Sequence, residues 1–322
     1  MNTILVTEAM SGAPLTALQS KFEVVHLPNL WKTRDALIEK VSQATALLIR
    51  NQTQIDREIL SHAKQLRIIG RAGVGLDNID MKAASENGVV VSFSPGANAN
   101  AVAELTIGFA VALSRKVPAA DRHARQGGWD RMQFLGQEIS GRTMAVIGCG
   151  AIGRLTARKA IAMGMRVLGY DPFLDPRSPA LSGIDLELVS FDEAVSRAEY
   201  ISCHVPANAE THEMFDARCF AKMKRGAFFI NTSRGNAVNE PALIDALASG
   251  QLAGAALDVR TEEPAPVGPL NAVDNLLLTP HIGGLTHEAQ AAVLQMICSD
   301  VQAVLQGQSA VHFANFAVPQ HK

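Results

Sequence analysis

Residues 143–153 read Thr-Met-Ala-Val-Ile-Gly-Cys-Gly-Ala-Ile-Gly, and the rest of the chain is organised around this stretch. Its first five residues are apolar enough for a buried parallel strand. Gly148, Gly150 and Gly153 then fit the pattern G-x-G-x-x-G. Helix-forming residues follow up to residue 164, and a second apolar run ends at Asp171. A strand, a glycine turn, a helix, a strand and an acid in this order predict a dinucleotide-binding site.

Each glycine of the pattern has its own physical task. Gly148 permits the tight turn out of the strand, a side chain at Gly150 would keep a pyrophosphate from the backbone, and Gly153 lets the helix pack closely. The helix N-terminus offers unpaired N–H groups to the diphosphate. Asp171 can accept hydrogen bonds from both ribose hydroxyls and would repel a 2′-phosphate, which predicts NAD rather than NADP. Taken alone, the glycines are also compatible with a purely structural strand-to-helix turn.

Composition limits the domain number and the class of partner. A chain of 322 residues suggests about two domains. The formal charge of −2 and the absence of a basic run predict no nucleic-acid partner. The four cysteines lack metal-ligand spacing, so we expect no metal site, and their apolar contexts fit reduced thiols. Because Met1 leads almost directly into an apolar strand and no apolar run could span a bilayer, we expect no membrane partner and a cytoplasmic location.

The order of elements predicts two sheets. Before the glycine pattern, five short apolar runs alternate with helical segments, as in a parallel sheet covered on both faces: residues 3–7, 22–27, 46–50, 66–70 and 89–92. After it, four further runs continue the second sheet: residues 200–204, 227–231, 254–259 and 276–279. A long helix is predicted over residues 101–117 and a last one over residues 286–305.

The last helix has no strand partner in the second sheet, so the chain is expected to return to the first domain. We therefore predict an α/β fold with two doubly wound parallel-sheet domains. A Rossmann NAD-binding domain, residues 99–286, is inserted in a flavodoxin-like substrate domain, residues 1–98 and 287–322.

Three predicted strand ends of the second sheet are followed by charged groups: Arg234, Glu263 and His281. Because the carboxyl ends of parallel strands share one edge, we expect these groups to converge. An imidazole can take the proton of a hydroxyl whose carbon loses hydride, and a carboxylate on its other nitrogen would fix its tautomer and favour its protonated form. An arginine can hold a carboxylate or the reacting oxygen. Each group alone also fits a structural role, but their joint placement favours 2-hydroxy acid oxidation.

Eight motifs spread over nearly the whole chain carry a resemblance to one family. They are Arg71-Ala-Gly-Val-Gly-Leu-Asp-Asn-Ile-Asp80, Ala103-Glu-Leu-Thr106, Gly148-Cys-Gly-Ala-Ile-Gly153, Gly169-Tyr-Asp-Pro172, Asn231-Thr-Ser-Arg-Gly235, Ala255-Ala-Leu-Asp-Val259, Glu262-Glu-Pro264 and Thr279-Pro-His-Ile-Gly-Gly284. The chain resembles the D-isomer-specific 2-hydroxyacid dehydrogenases, and within them the phosphoglycerate dehydrogenases. The resemblance implies that Arg234, Glu263 and His281 are catalytic.

The resemblance also implies binding residues. Besides the glycines and Asp171, the implied cofactor contacts are Ala151, Ile152, Val205, Pro206, Thr232, Ser233, Arg234, Asp258, His281, Gly283 and Gly284. The implied substrate contacts are Arg234, His281 and the loop Gly73-Val74-Gly75, whose backbone amides would hold the substrate carboxylate. The helix over residues 101–117 is implied to form the interface of a homodimer, although a role as a core helix remains an alternative.

The substrate is harder to predict. Arg50-Asn51 and Arg71 end neighbouring strands of the first domain and could hold a phosphate, which favours 3-phosphoglycerate and 3-phosphohydroxypyruvate and hence serine biosynthesis. Arg131 lies in a stretch that resembles one of the phosphoglycerate dehydrogenases, in which a basic residue reaches the neighbouring subunit's site. The alternatives are structural salt bridges at these arginines, a glyoxylate or hydroxypyruvate reductase, and, more remotely, an NAD-sensing corepressor that uses the fold for binding. Because the chain stops soon after the catalytic unit, serine feedback through a C-terminal regulatory domain is not expected.

Overall fold

The computed structural model describes residues 2–320 and divides the chain into two compact units. The terminal unit comprises Met1–Asn98 and Leu285–Lys322, and the inserted unit comprises Ala99–Gly284. Each unit is built around its own parallel sheet.

The sheet of the terminal unit has five parallel strands in the order β2-β1-β3-β4-β5. The strands are β1 Thr3–Val6, β2 Glu23–His26, β3 Ala46–Ile49, β4 Ile68–Arg71 and β5 Val90–Ser92, and the helices between them are α1 Ala13–Gln19, α2 Arg34–Val41, α3 Arg57–His62 and α4 Met81–Glu86. Within β3, Leu47 and Ile49 belong to the core on one face, while Ala46 and Leu48 belong to the core on the other. Burial of both faces explains why this strand is apolar throughout. The strand order reverses between β1 and β3, the place where such sheets bind ligands.

The sheet of the inserted unit has seven parallel strands in the order β12-β11-β10-β9-β6-β7-β8. The strands are β6 Thr143–Ile147, β7 Arg166–Tyr170, β8 Leu186–Leu188, β9 Tyr200–Cys203, β10 Ala227–Asn231, β11 Leu252–Leu257 and β12 Leu276–Leu278. The helices are α5 Ala99–Ser114, α6 Val117–Arg125, α7 Ala151–Ala162, α8 Phe191–Arg197, α9 Ala217–Lys222 and α10 Glu240–Ala248. The glycine pattern therefore follows β6, where the order of this sheet reverses.

The last helix, α11 His287–Leu305, packs in the terminal unit. Ile297 and Val301 belong to the same core as Leu48 of β3. A Cβ atom at Gly70 would lie 2.7 Å from Leu48 Cδ2 and 3.1 Å from Val301 Cγ2, so the glycine lets the helix approach the sheet. The predicted fold, a Rossmann domain inserted in a second parallel α/β domain, is confirmed.

Two elements differ from the prediction. The predicted helix over residues 101–117 ends at Ser114, and a separate helix, α6, begins at Val117. Lys116 between them has a left-handed φ of 51°, which ends the first helix. The edge strand β8 is also absent from the prediction, because its three residues alternate apolar and charged side chains and are too few to form a recognisable pattern.

Candidate active site and dinucleotide site

The glycine turn after β6 has the geometry that a dinucleotide needs. Gly148 has a φ of 96°, and a Cβ atom there would lie 2.7 Å from the carbonyl oxygen of His204. A Cβ atom at Gly153 would lie 2.0 Å from the carbonyl oxygen of Gly148. At Gly150, by contrast, no described residue other than its neighbours in the chain lies within 4 Å of such a Cβ atom. The space over Gly150, at the N-terminus of α7, therefore suits a diphosphate that approaches the backbone.

The predicted neighbours of this turn surround it. Ala151 and Ile152 are the first residues of α7. The backbone nitrogen of Val205, just before Pro206, lies 3.1 Å from the Cβ position of Gly148, so the loop after β9 borders the turn. These positions are compatible with the predicted cofactor contacts.

Asp171 follows β7 and helps to shape the turn. One carboxylate oxygen accepts a hydrogen bond from the Cys149 amide at 2.9 Å, and the other accepts one from the Phe173 amide at 3.0 Å. Because each carboxylate oxygen has two lone pairs, both retain capacity for a further donor such as a ribose hydroxyl. The residues of the turn and of Asp171 thus fit an adenosine diphosphate group.

Arg154 is a residue of this turn that sequence reasoning missed. Its Nη1 donates to the carbonyl oxygen of Cys149 at 2.8 Å. Because helical side chains point back toward the N-terminus, an arginine in the first turn of α7 covers the glycine loop. A basic residue directly after the third glycine was the available signal.

The loop after β10 is folded by a buried amide. Asn231 Oδ1 accepts from the Ser233 amide at 2.9 Å, and Nδ2 donates to the carbonyl oxygen of Arg234 at 2.8 Å. Thr232 Oγ1 lies 3.0 Å from Thr106 Oγ1 of α5. Arg234 Nη1 donates to the carbonyl oxygen of Ser233 at 2.8 Å. The backbone of the predicted Thr232, Ser233 and Arg234 is therefore fixed from inside the unit.

Asp258, one residue beyond β11, holds the loop that carries His281. Its side chain is 1% exposed and accepts hydrogen bonds from Thr279 Oγ1 at 2.5 Å, the Ile282 amide at 2.8 Å and the Gly283 amide at 2.7 Å. Its carbonyl oxygen accepts from the His281 amide at 2.8 Å. These bonds support the left-handed φ of 55° at His281, a conformation unfavourable for a residue other than glycine. Asp258 thus fixes the His281 backbone. The sequence predicted only a cofactor contact for Asp258 and not this role.

His281 and Glu263 form a direct pair. His281 Nδ1 lies 2.6 Å from Glu263 Oε2, and Glu263 Oε1 accepts from the Arg260 amide at 3.0 Å. Burial raises the pKa of Glu263, but the hydrogen bond and charge of His281, together with the Arg260 amide and the Arg234 charge, outweigh it, so the pKa lies below its ordinary value. A carboxylate on Nδ1 requires a proton on that nitrogen, which leaves Nε2 as the atom that exchanges a proton.

Arg234 belongs to the same neighbourhood. Its charge is close enough to lower the pKa of Glu263. A Cβ atom at Gly235 would lie 2.0 Å from the carbonyl oxygen of Arg260, so the loops after β10 and β11 are in contact here. The structure therefore brings Arg234, Glu263 and His281 together, with a base, its carboxylate partner and a guanidinium in one place. Such a group can move a proton to or from an oxygen that the arginine holds.

In the terminal unit, a buried carboxylate organises the loop that holds Arg50 and Asn51. Glu8 is 3% exposed and accepts from the Arg50 amide at 2.7 Å and from the amide and hydroxyl of Thr53 at 3.0 and 2.7 Å. Asn78 Nδ2 donates to the carbonyl oxygens of Arg50 and Thr53 at 2.8 and 2.7 Å. Sequence reasoning missed the role of both residues, because 42 positions separate Glu8 from Arg50 and 28 separate Asn78 from Arg50.

The side chain of Arg71, the last residue of β4, lies on the glycine loop that follows. A Cβ atom at Gly73 would lie 1.5 Å from Arg71 Nη1, and Gly73 has a φ of 155°. Only a glycine at position 73 leaves room for the guanidinium of Arg71. The predicted carboxylate loop therefore also has a guanidinium against it.

Between residues 2 and 320, no three His, Cys, Asp or Glu side chains are grouped so that they could hold a metal ion. No helix in the same range combines the length and the apolar composition that a membrane crossing requires.

Comparisons with known proteins agree on one family. The family described as D-isomer specific 2-hydroxyacid dehydrogenase, NAD binding domain, matches residues 107–283. The D-3-phosphoglycerate dehydrogenase of Methanocaldococcus jannaschii is 38% identical over 100% of this chain. The chain spans 61% of the length of that relative.

Two solved structures share the fold over nearly their whole length. The crystal structure of the TT0316 protein from Thermus thermophilus has a TM-score of 0.91 and 33% identity, and covers 97% of this chain and 99% of its own. The crystal structure of a glyoxylate reductase from Paecilomyes thermophila has a TM-score of 0.86 and 28% identity, and covers 97% of this chain and 98% of its own.

Proposed function

The chain belongs to the D-isomer-specific 2-hydroxyacid dehydrogenase family, and we propose that it is an NAD-dependent oxidoreductase acting on a D-2-hydroxy acid and the corresponding 2-oxo acid. The observation that carries this proposal is the 2.6 Å pair of His281 and Glu263 beside Arg234. For the substrate we propose 3-phosphoglycerate and 3-phosphohydroxypyruvate, the pair used in serine biosynthesis.

In the proposed mechanism, each residue has one task. Bound NADH supplies the hydride for the substrate carbon. Arg234 holds the carbonyl oxygen or carboxylate of the 2-oxo acid with its guanidinium. His281 gives the Nε2 proton to the carbonyl oxygen during reduction and takes it back from the hydroxyl during oxidation. Glu263 keeps the ring in one tautomer and one orientation through Nδ1.

The first prediction concerns the cofactor. Asp171→Ala should weaken NADH binding about ten- to a hundredfold, because charge-assisted hydrogen bonds to the ribose are lost, and it should relax the preference for NADH over NADPH. Asp171→Asn is the matched control, since it can still accept from the Cys149 amide but lacks the charge that repels a 2′-phosphate. Fluorescence titration with both cofactors measures the effect. A wild-type protein that used NADH and NADPH with equal efficiency would refute the assignment.

The second prediction concerns pH. The pKa of Glu263 lies below its ordinary value, so Glu263 is a carboxylate at neutral pH. Reduction needs the protonated imidazole, and its rate falls as the pH rises. Glu263→Gln removes the charge that favours protonation, so this fall should begin at a lower pH.

Oxidation supplies the converse check. Oxidation needs the neutral imidazole, so its rate rises with pH. In Glu263→Gln this rise should also move to lower pH. Steady-state pH–rate profiles in both directions measure the two shifts. Unmoved profiles would show that Glu263 does not act on His281.

The phosphorylated substrate is supported by two findings. Arg50 directly follows β3 and Arg71 ends the neighbouring β4, so both lie at the carboxyl edge of the terminal sheet, where such sheets bind ligands. A D-3-phosphoglycerate dehydrogenase is also 38% identical over the whole chain. The second candidate, a glyoxylate or hydroxypyruvate reductase, is favoured by the fold shared with a glyoxylate reductase.

One assay decides between these functions. NADH oxidation is followed with 3-phosphohydroxypyruvate, hydroxypyruvate, glyoxylate and 2-oxoglutarate. The proposal expects the highest kcat/KM for 3-phosphohydroxypyruvate. A higher value for glyoxylate or hydroxypyruvate would favour the reductase, and no turnover of any 2-oxo acid would favour the NAD-sensing binding protein.

We also propose a homodimer in the cytoplasm, with no nucleic-acid or membrane partner. The segment after α6 supports the dimer, because Trp129 is 85%, Met132 74% and Leu135 71% exposed, beside Arg131. All four cysteines are buried and free, as expected for thiols in a reducing compartment. Analytical ultracentrifugation tests the dimer, and a monomer at micromolar concentration would contradict it.

A further inference from the structure

The loop that carries Glu263 has no regular structure of its own. Between the end of β11 at Leu257 and the short 3-10 helix at Pro269–Ala272, the chain forms neither helix nor strand. Glu263 is held at one oxygen by His281 and at the other by the Arg260 amide. The position of the Arg260 backbone therefore decides where the carboxylate lies.

Arg260 is fixed in turn by Glu240. Arg260 Nε donates to Glu240 Oε1 at 2.9 Å and Nη2 donates to Oε2 at 3.1 Å, a two-pronged ion pair. The Thr261 amide adds a third bond to Glu240 Oε1 at 3.1 Å. The two side chains are only 14% and 22% exposed, so solvent screens this pair less than a surface pair.

Glu240 lies on a rigid element. It is the first residue of α10, whose Leu243 and Leu247 are buried in the core and whose N-cap Asn239 accepts from the Ala242 amide. Gly235, in the loop after β10, lies against the carbonyl group of Arg260. The Arg260 backbone is thus held between the loop after β10 and the start of α10.

We propose that the Glu240–Arg260 ion pair positions Glu263, and through it His281, for proton transfer. Neither side chain has a hydrogen bond to Glu263 or His281: the effect passes through the Arg260 amide and the path of the backbone. This inference rests on the proposed function, because it gives the pair a task in the same proton relay.

The test is a double-mutant cycle. Arg260→Met removes the guanidinium and keeps the length of the side chain, and Arg260→Lys keeps the charge and a single bond. Arg260→Met should lower kcat for 2-oxo acid reduction roughly ten- to a hundredfold, the range expected when a reacting group is misplaced. Arg260→Lys should recover part of the loss, and NADH affinity should not change in either variant. In a Glu263→Ala background, Arg260→Met should cost nothing further, because there is no carboxylate left to position.

Arg197→Gln is the matched control. Arg197 forms a two-pronged pair with Glu187 at 2.9 Å for both bonds, but on the other edge of the sheet and with 45% and 56% exposure. Its removal should leave kcat unchanged. An equal loss from Arg260→Met with and without Glu263, or no loss at all, would overturn the positioning role.

A readout independent of turnover separates this inference from the proposed function. The Nδ1 proton of His281, shared with Glu263 over 2.6 Å, should give a downfield proton resonance that disappears in Glu263→Ala. Arg260→Met should move it upfield, and Arg197→Gln should not. If the protein reduced no 2-oxo acid but the resonance moved as expected, the proposed function would fail while the positioning role stood. A resonance unchanged in Arg260→Met would refute the positioning role whatever the activity.

Discussion

His281→Ala is expected to lower kcat for 2-oxo acid reduction by about 10²- to 10⁴-fold, the usual contribution of a general acid–base group. Nδ1 is committed to Glu263, so removal of the ring takes away the Nε2 proton and leaves a carboxylate that has nothing to orient. Stopped-flow measurement of NADH oxidation in a single turnover would show the loss in the reduction step itself.

The backbone at His281 calls for a second variant. Its φ of 55° strains an alanine, whereas asparagine tolerates the left-handed region. His281→Asn should therefore lose as much activity as His281→Ala while it retains more thermal stability. His212, an exposed histidine of the same unit, is the matched control, and His212→Ala should retain full activity. Near-normal turnover in His281→Asn would refute the proton relay.

Arg234→Ala is the other substitution from which we expect a large loss of activity. If Arg234 holds the carboxylate or the reacting oxygen common to every substrate, its removal should lower kcat/KM about 10²- to 10³-fold for all of them, as when a donor to a developing oxyanion is lost. Arg234→Lys keeps the charge but not the planar fork, so it should recover only part of the rate. Arg225, exposed and bonded to the carbonyl oxygen of Ser249, serves as the control, and Arg225→Ala should behave as wild type.

Arg71→Ala should differ from Arg234→Ala in its selectivity. If Arg71 binds the substrate phosphate, its loss should raise the KM for 3-phosphohydroxypyruvate roughly ten- to a hundredfold. The effect on the KM for glyoxylate should be smaller. The guanidinium of Arg71 lies against Gly73, however, in the loop predicted to bind the substrate carboxylate. Equal losses of activity with both substrates would mean that Arg71 binds the substrate carboxylate or has a structural role. The protein would then be assigned only as a general 2-hydroxyacid dehydrogenase.

Local patterns explain what the sequence could predict. The turn at Gly148, Gly150 and Gly153 is recognisable because each glycine meets a separate steric demand within a few residues of chain. The apolar strands are recognisable because both faces of each sheet are covered. Arg234, Glu263 and His281 could be expected to converge because parallel strands end at one edge of a sheet.

Contacts between residues far apart in the chain explain what the sequence could not predict. Glu8 organises the Arg50 loop across 42 positions, and Glu240 reaches Arg260 across 20. Asp258 was predicted at the right edge, but its bonds to the His281 loop depend on how two strand ends approach each other in space. A buried carboxylate and a solvated one look the same in a sequence, so such supporting residues become visible only in the folded chain.

Hydride transfer from NADH to the 2-oxo acid can be measured directly by following the transferred hydrogen. The protein is incubated with 3-phosphohydroxypyruvate and NADH that carries two deuterium atoms at C4 of the nicotinamide, and the product is analysed by NMR and chiral chromatography. We expect deuterium at C2 of D-3-phosphoglycerate, formed by the wild type and about 10²- to 10⁴-fold more slowly by His281→Asn. A product without deuterium at C2, an L-isomer, or no 2-hydroxy acid from any 2-oxo acid would contradict it.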